Sequence, residues 1–173
     1  MRWLSDYRRD VARFRKQRPL EAVLRNQGLW ALFQYRVARE VYASELPPRV
    51  KNSALAIMYG WRKVVEVMTG ISLPHTADIE PGVLFPHYGT IVINKDAHIG
   101  SGTTILQGVT IGETRNLPGA PHVGRNVLIG ANAVVVGDIT VGDGARIGAL
   151  TFVDDDVKPG ATVHPGVPAV GEP

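Results

Sequence analysis

From Ile93 to Val153 a branched aliphatic residue returns at every sixth position: Ile93, Ile99, Ile105 and Ile111, then Val123, Ile129, Val135, Val141, Ile147 and Val153. Leu117 stands on the same beat between the two halves, and a glycine follows at once at Gly100, Gly112, Gly124, Gly130, Gly142 and Gly148. Four residues after each aliphatic the side chain is mostly small or β-branched, as in Thr103, Val109, Val127, Ala133, Ile139, Ala145, Thr151 and Val157. Helices repeat at about 3.6 residues and strands at 2.0, so neither carries this period. A chain that turns a corner every six residues does. Three flat sides then close one triangular coil, with aliphatics inside and glycine at the tight turns. Each coil buries its apolar residues only against its neighbours, so stability grows by stacking. Short sandwich strands would instead bring turn signals every 8–12 residues or so.

The beat reaches back to Leu73, Ile79 and Phe85, which are six apart, and its continuation would fall on position 91. The downstream phase starts at Ile93, so two residues are extra within Pro86–Val92, a stretch that contains His87. A local break in an otherwise consistent pattern often marks function.

Residues 1–70 read as an α-helical region, 71–165 as the coils and 166–173 as a C-terminal tail. Ser5 is placed to cap a first helix that Pro19 ends, with Trp3, Leu4, Tyr7, Val11 and Phe14 on one face. A second short helix follows Pro19, with Gly28 as its expected stop. A third spans about 29–45 before Pro47-Pro48, and a fourth spans about 49–69 before Gly70.

At 173 residues the chain is long enough for one sizeable core. It has no cysteine, which excludes disulfides, thiolate chemistry and cysteine-ligated metal. The opening MRWLSDYRRD lacks the apolar run of a signal peptide, and no stretch approaches the ~18 apolar residues of a spanning helix. A soluble, cytoplasmic protein is expected. Charge is uneven: through Lys63 there are 14 Lys+Arg against 5 Asp+Glu, and beyond it 5 against 11. The basic first segment suits a solvated face or a packing arm between subunits. It also suits peripheral contact of residues 1–18 with an anionic membrane. No recognised nucleic-acid motif accompanies the charge, so no nucleic-acid partner is expected.

The period resembles that of the hexapeptide-repeat transferases, whose fold is a left-handed parallel β-helix. The stretches TGISLPHTADIEPGVLFPHYGTIVI (69–93) and ILQGVTIG (105–112) are similar to serine acetyltransferases and their polysaccharide-modifying relatives. LWALFQYRVAREVY (29–42) resembles the last helices before the coils in that family. The resemblance implies a mainly β fold, an acetyl-CoA-dependent O-acetyltransferase, and a homotrimer or a dimer of trimers, with sites between neighbours. His87 matches the family's general base, which takes the proton of an acceptor hydroxyl as that oxygen attacks the thioester. Imidazole suits the task because its pKa lies near working pH. Gly112, Gly130, Ala131, Gly148 and Ala149 match positions where the pantetheine arm lies against backbone. Lys158, with Arg146, is the basic candidate for the coenzyme phosphates. The segment PGVPAV (165–170) looks like the family's closing segment, with Val170 where arginine is usual.

This chain also departs from the serine acetyltransferase pattern. The acidic residue that orients the base is replaced by Ser72, and the aspartate before the base by Pro86. The Arg-His pair facing the substrate carboxylate falls on Gly119-Ala120, with His122 two residues later. An acceptor with a free ammonium and carboxylate needs charged partners. The expected acceptor is therefore a neutral hydroxyl, a carbohydrate by preference, with L-serine as the alternative. Ser72, Glu113 or a backbone carbonyl is left to orient His87. Pro86, Tyr88, Glu113 and His122 are the candidate acceptor contacts. His75, His98 and His164 read as structural or exposed. The histidine spacings of 12, 11, 24 and 42 contain no pair five apart, as a γ-class carbonic anhydrase zinc site needs, and no metal is expected. A non-catalytic trimeric scaffold is the remaining alternative, and it gives no reason for the His87 insertion.

Overall fold

The six-residue beat folds into stacked triangular coils, in a computed structural model that describes residues 2–166. The expectation of a parallel β-helix after a helical region is borne out. One side of the prism carries β1 (Ile71–Ser72), β3 (Ile91–Ile93), β6 (Thr110–Gly112), β9 (Val134–Val136) and β12 (Phe152–Val153), paired in that order. The second side carries β2 (Asp78–Ile79), β4 (His98–Ile99), β7 (His122–Val123) and β10 (Thr140–Val141). The third carries β5 (Thr104–Ile105), β8 (Leu128–Ile129), β11 (Arg146–Ile147) and β13 (Thr162–Val163), extended by a bridge from Leu84 to Thr104. All strand pairs are parallel, and register sets aliphatic on aliphatic: Ile99 on Val123, Ile105 on Ile129, Ile111 on Val135.

Both inward positions of each side are buried, the beat residue and the one two places before it, as in Ile129 with Val127 and Val135 with Ala133. Burying one such Val or Ile is worth about 1.5–3 kcal/mol, so the repeated stack supplies the main stabilisation. Corner glycines let coils approach. A Cβ on Gly100 would lie 2.6 Å from the Gly124 carbonyl carbon, closer than packed atoms tolerate.

Two positions depart from the sequence reading. Leu117 has the right residue type at the right spacing, yet lies in a loop closed by an antiparallel bridge between Thr114 and Leu117. Ile111 and Val123 sit on successive sides, so six residues are extruded between them. In the last coil Val157, not a residue six past Val153, bridges to Val141 on the second side. That coil is therefore two residues short.

The helical region consists of α1 (Arg2–Val11), α2 (Pro19–Arg25), α3 (Gln27–Ala43) and α4 (Pro48–Thr69). α1 ends well before Pro19, and Ser5 lies inside it, its hydroxyl donating to Arg2 O at 2.7 Å rather than capping. Gly28 does not stop α2; it sits in the first turn of α3, where a Cβ would collide with the Phe85 carbonyl. α3 thus lies directly on the coil. α4 ends as expected at Gly70, which is left-handed at φ 70°.

α3 covers the free edge of β2, whose unpaired backbone groups would otherwise face no partner. The Tyr35 hydroxyl donates to Ala77 O at 2.8 Å and accepts the Ile79 N–H at 3.0 Å. Arg36 donates to Glu80 O at 2.9 Å and, through Nε, to Asp10 Oδ2 at 2.9 Å. Asp10 also accepts the Gly82 N–H at 2.6 Å. Asp10 is 0% exposed and Arg36 4%, so this ion pair ties α1, α3 and the first coil together away from water. Burial lifts the Asp10 carboxyl above its usual range against the pull of Arg36 and the Gly82 N–H. Burial, and secondarily the Asp10 charge, pushes the Tyr7 hydroxyl up to about 12.

Trp3 and Tyr7 pack edge-on against Phe33, with ring centroids 5.6 and 5.2 Å away. Most of the apolar face that begins in α1, which a membrane anchor would need, packs inside the chain through Trp3, Tyr7, Val11 and Phe14, while Leu4 stays 37% exposed. Among the described residues no helix is long and apolar enough to cross a membrane.

Candidate active site

The break in the beat becomes a loop. Leu73 and Ile93 occupy equivalent places on successive coils twenty positions apart, against eighteen from Ile93 to Ile111. The surplus lies in Pro86–Thr90, where the Gly89 N–H donates to Thr69 O at 3.0 Å and the Ile91 N–H to Gly70 O at 2.9 Å. These bonds fold the loop over the end of α4. His87 and Tyr88 stand exposed on it, and Pro86 is half-buried. Ser72, half-buried on β1, lies opposite Val92. The one imidazole–carboxylate contact among the described residues belongs to His98, so none of their acidic side chains orients His87.

The loop belongs to the edge where the third side turns into the first. Above it on the same edge come Leu106–Gly108, then Gly130–Asn132, then Gly148–Leu150. Asn132 N–H donates to Gln107 O and Leu150 N–H to Ala131 O, both at 2.9 Å. The structure therefore brings Gly130, Ala131, Gly148 and Ala149 into one column with His87. Stacking already requires two of these glycines. A Cβ on Gly130 would lie 2.5 Å from Ala149 N, and one on Gly148 would lie 3.1 Å from Val163 O. Gly112 differs, because its Cβ would meet Asn94 Cβ at an ordinary 3.8 Å. Beside the column the first side presents exposed apolar groups, Val92 at 44% and Phe152 at 56%, with Leu150 and Tyr88 at the corner.

Other candidates lie elsewhere. Lys158 follows Val157 on the second side, away from this edge. Arg146 is exposed on the third side. Glu113 leaves the far end of β6, so it and His87 border the first side on opposite edges. His122 is on the second side, its ring stacked on His98 at 4.2 Å and 10°. His98 Nδ1 lies 3.0 Å from Asp78 Oδ2, and Asp78 also receives Arg39 at 3.2 Å. Sequence reasoning missed the Asp78–His98 contact, although the positions sit in register one coil apart. It also missed Arg115, exposed on the 113–118 loop with no ion pair among the described residues. A polar cleft of about 540 Å³ between α1, α3 and the first coils lies along the second side, and its Arg125 is paired with Glu80 at 3.3 Å. Residues 167–170 of the closing segment and the tail from 167 fall outside the described residues.

Comparison with known proteins adds four findings. The family model described as bacterial transferase hexapeptide (six repeats) matches residues 120–155. Serine acetyltransferase 2 of Arabidopsis thaliana is 35% identical over 172 residues, covering 95% of this chain and 50% of that protein; this chain spans half its length. The serine acetyltransferase of Helicobacter pylori is 34% identical over 144 residues, covering 82% of this chain and 80% of that protein. Among solved structures, Neisseria gonorrhoeae serine acetyltransferase in complex with serine superposes with a TM-score of 0.80 at 27% identity, covering 96% of this chain and 68% of that one. These relatives overturn the carbohydrate acceptor expected from the departures at Ser72, Pro86 and Gly119-Ala120. That expectation assumed that charged contacts must stand at fixed places in the sequence. The 113–118 loop, with its free Arg115, shows that charge is available elsewhere on the same connection.

Proposed function

The chain belongs to the serine acetyltransferase family, and from that premise we propose that it transfers the acetyl group of acetyl-CoA to the hydroxyl of L-serine. In this reading His87 removes the hydroxyl proton as the serine oxygen attacks the thioester carbonyl. The tetrahedral intermediate then expels the coenzyme thiolate, which takes up the proton, and O-acetylserine and CoA leave. Imidazole as a side-chain type suits general-base work near neutral pH. The observation that carries the reading is the two-residue insertion, which displays His87 on the same edge as Gly130-Ala131 and Gly148-Ala149.

Gly112 and the small residues of that edge hold the pantetheine arm, and Arg146 or Lys158 meets the phosphates. Arg115 faces the serine carboxylate in place of the missing arginine at 119. Because Glu113 and Arg115 border the first side opposite His87, a neighbouring copy supplies the second half of the site, which supports a threefold assembly. A cytoplasmic location goes with this reading, since acetyl-CoA is made and held there.

Thiol release from acetyl-CoA with L-serine tests the proposal, and the chain contributes no thiol background. His87→Ala is expected to lower kcat by about 10²–10⁴-fold with the thermal unfolding profile unchanged. Serine-independent release, or near-normal turnover by His87→Ala, would remove the reading.

A further inference from the structure

Among the described residues three buried side-chain polar atoms have no hydrogen-bond partner: Arg62 Nε, Thr151 Oγ1 and Gln107 Oε1. Such an atom has given up water and gained nothing, so each calls for an explanation. Arg62 is on α4, and Thr151 lies two coils above Gln107, in register through Ala133 with Val109. Gln107 alone stands against the His87 loop. Extending the pairing of Val92 with Thr110 and Ile93 with Ile111 along the edge sets Gln107 directly over Gly89. The approach is close: a Cβ on Gly89 would lie 3.1 Å from Gln107 Cβ, and Gly89 has a φ of 133°. Both the room for Gln107 and the backbone conformation call for glycine there. The loop is thus built around the glutamine side chain, two residues from His87.

His87 is the complementary orphan. The one hydrogen-bonded imidazole among the described residues is that of His98. A general base needs one ring nitrogen bare and the other protonated and held, because the bond at the second nitrogen fixes the tautomer and aim of the first. Ser72 belongs to β1 of the first side, and Glu113 to the far edge of that side. Resting on His87 as the general base of serine acetylation, we propose that Gln107 is its positioning residue. In the loaded site the imidazole turns its Nδ1–H onto Gln107 Oε1, which leaves Nε2 bare toward the serine hydroxyl. An amide oxygen accepts the hydrogen bond but does not take the proton, so the serine proton stays on Nε2 until it passes to the thiolate. A carboxamide also suits a buried place, where a carboxylate would carry an uncompensated charge whenever the ring turned away.

Gln107→Met keeps the length of the side chain and removes the oxygen. It should lower kcat for serine acetylation about tenfold, the equivalent of one lost hydrogen bond, with KM for L-serine and for acetyl-CoA unchanged. The melting temperature should stay or rise, because a buried orphan is gone. Gln107→Glu keeps an oxygen at the same place and should restore most of kcat. Nitrogen-15 spectra of histidine-labelled protein, saturated with CoA and L-serine in alkaline buffer, supply the direct readout. The His87 signals, identified by their loss in His87→Ala, should report the Nδ1–H tautomer and lose it in Gln107→Met. An unchanged kcat or an unchanged tautomer in Gln107→Met overturns the proposal and leaves His87 as the base. A higher KM for acetyl-CoA at constant kcat would assign the amide to the pantetheine arm, and a lower melting temperature at constant kcat would assign it to packing; either overturns the proposal. Absence of serine-dependent thiol release in the wild type would instead remove the underlying reading, and the proposal with it.

Discussion

In the coils each buried residue finds the same kind of neighbour above and below, so Ile99 sits on Val123 as Ile105 sits on Ile129. In the helical region the attachment to those coils depends on a few unlike groups: the Asp10–Arg36 pair, the Tyr35 hydroxyl and the notch at Gly28. The first arrangement spreads its stabilisation over many equivalent contacts. The second concentrates it where removing one atom group leaves another buried without a partner.

That contrast sets the order of expected effects. Arg36→Ala leaves the Asp10 carboxylate buried and unpaired, and should cost about 3–5 kcal/mol in urea unfolding. Replacing both partners at once, with Asp10→Leu and Arg36→Met, should recover most of that loss; no recovery would mean the pair is not the joint. Ile129→Ala, in the middle of the stack, should cost about 2–5 kcal/mol through lost burial and a residual cavity. A cost that varied with coil number would show that the coils are less equivalent than their register implies. Gly100→Ala forces a methyl onto the Gly124 backbone and should cost about 1–3 kcal/mol. Gly112→Ala meets only an ordinary contact; it should leave the melting temperature in place and raise KM for acetyl-CoA. The smallest effect is electrostatic. The Ser101 N–H, and then Arg125, hold the Glu80 carboxyl below its ordinary 4.5. Its contribution is therefore present above that pH and is lost as pH falls through the depressed value. Glu80→Gln should flatten the acid limb of the stability profile below about pH 4.5 and leave neutral stability nearly unchanged.

What could be read in the sequence follows the same division. The coils were legible because one inward residue per side repeats at a fixed spacing, and the only false beat, Leu117, satisfied that spacing without the backbone ladder beneath it. The two surplus residues around His87 were legible for the same reason, as an interruption of a regular pattern. The joint was not, because Asp10, Arg36 and the Ile79 carbonyl lie 26 and 43 residues apart, with no period linking them. The acceptor was misread because absent charges were judged at matching positions, and the serine acetyltransferase relatives overturned that judgement; the proposed contacts Glu113 and Arg115 lie across the first side from His87. A site divided between copies, as proposed above, would leave no local signature in one chain.

The Tyr35 hydroxyl, which accepts one backbone N–H and donates to a backbone carbonyl, imitates the strand that would lie beneath β2. α3 is in that sense a counterfeit coil. A solenoid with a bare end is a template on which other chains can lengthen the ladder into a fibre. Here that end is occupied by a side chain that passes for backbone and offers nothing further to copy. Lengthening this protein by duplication is thus polar: new coils can be spliced in above the first, but a coil added below it would first have to evict a helix.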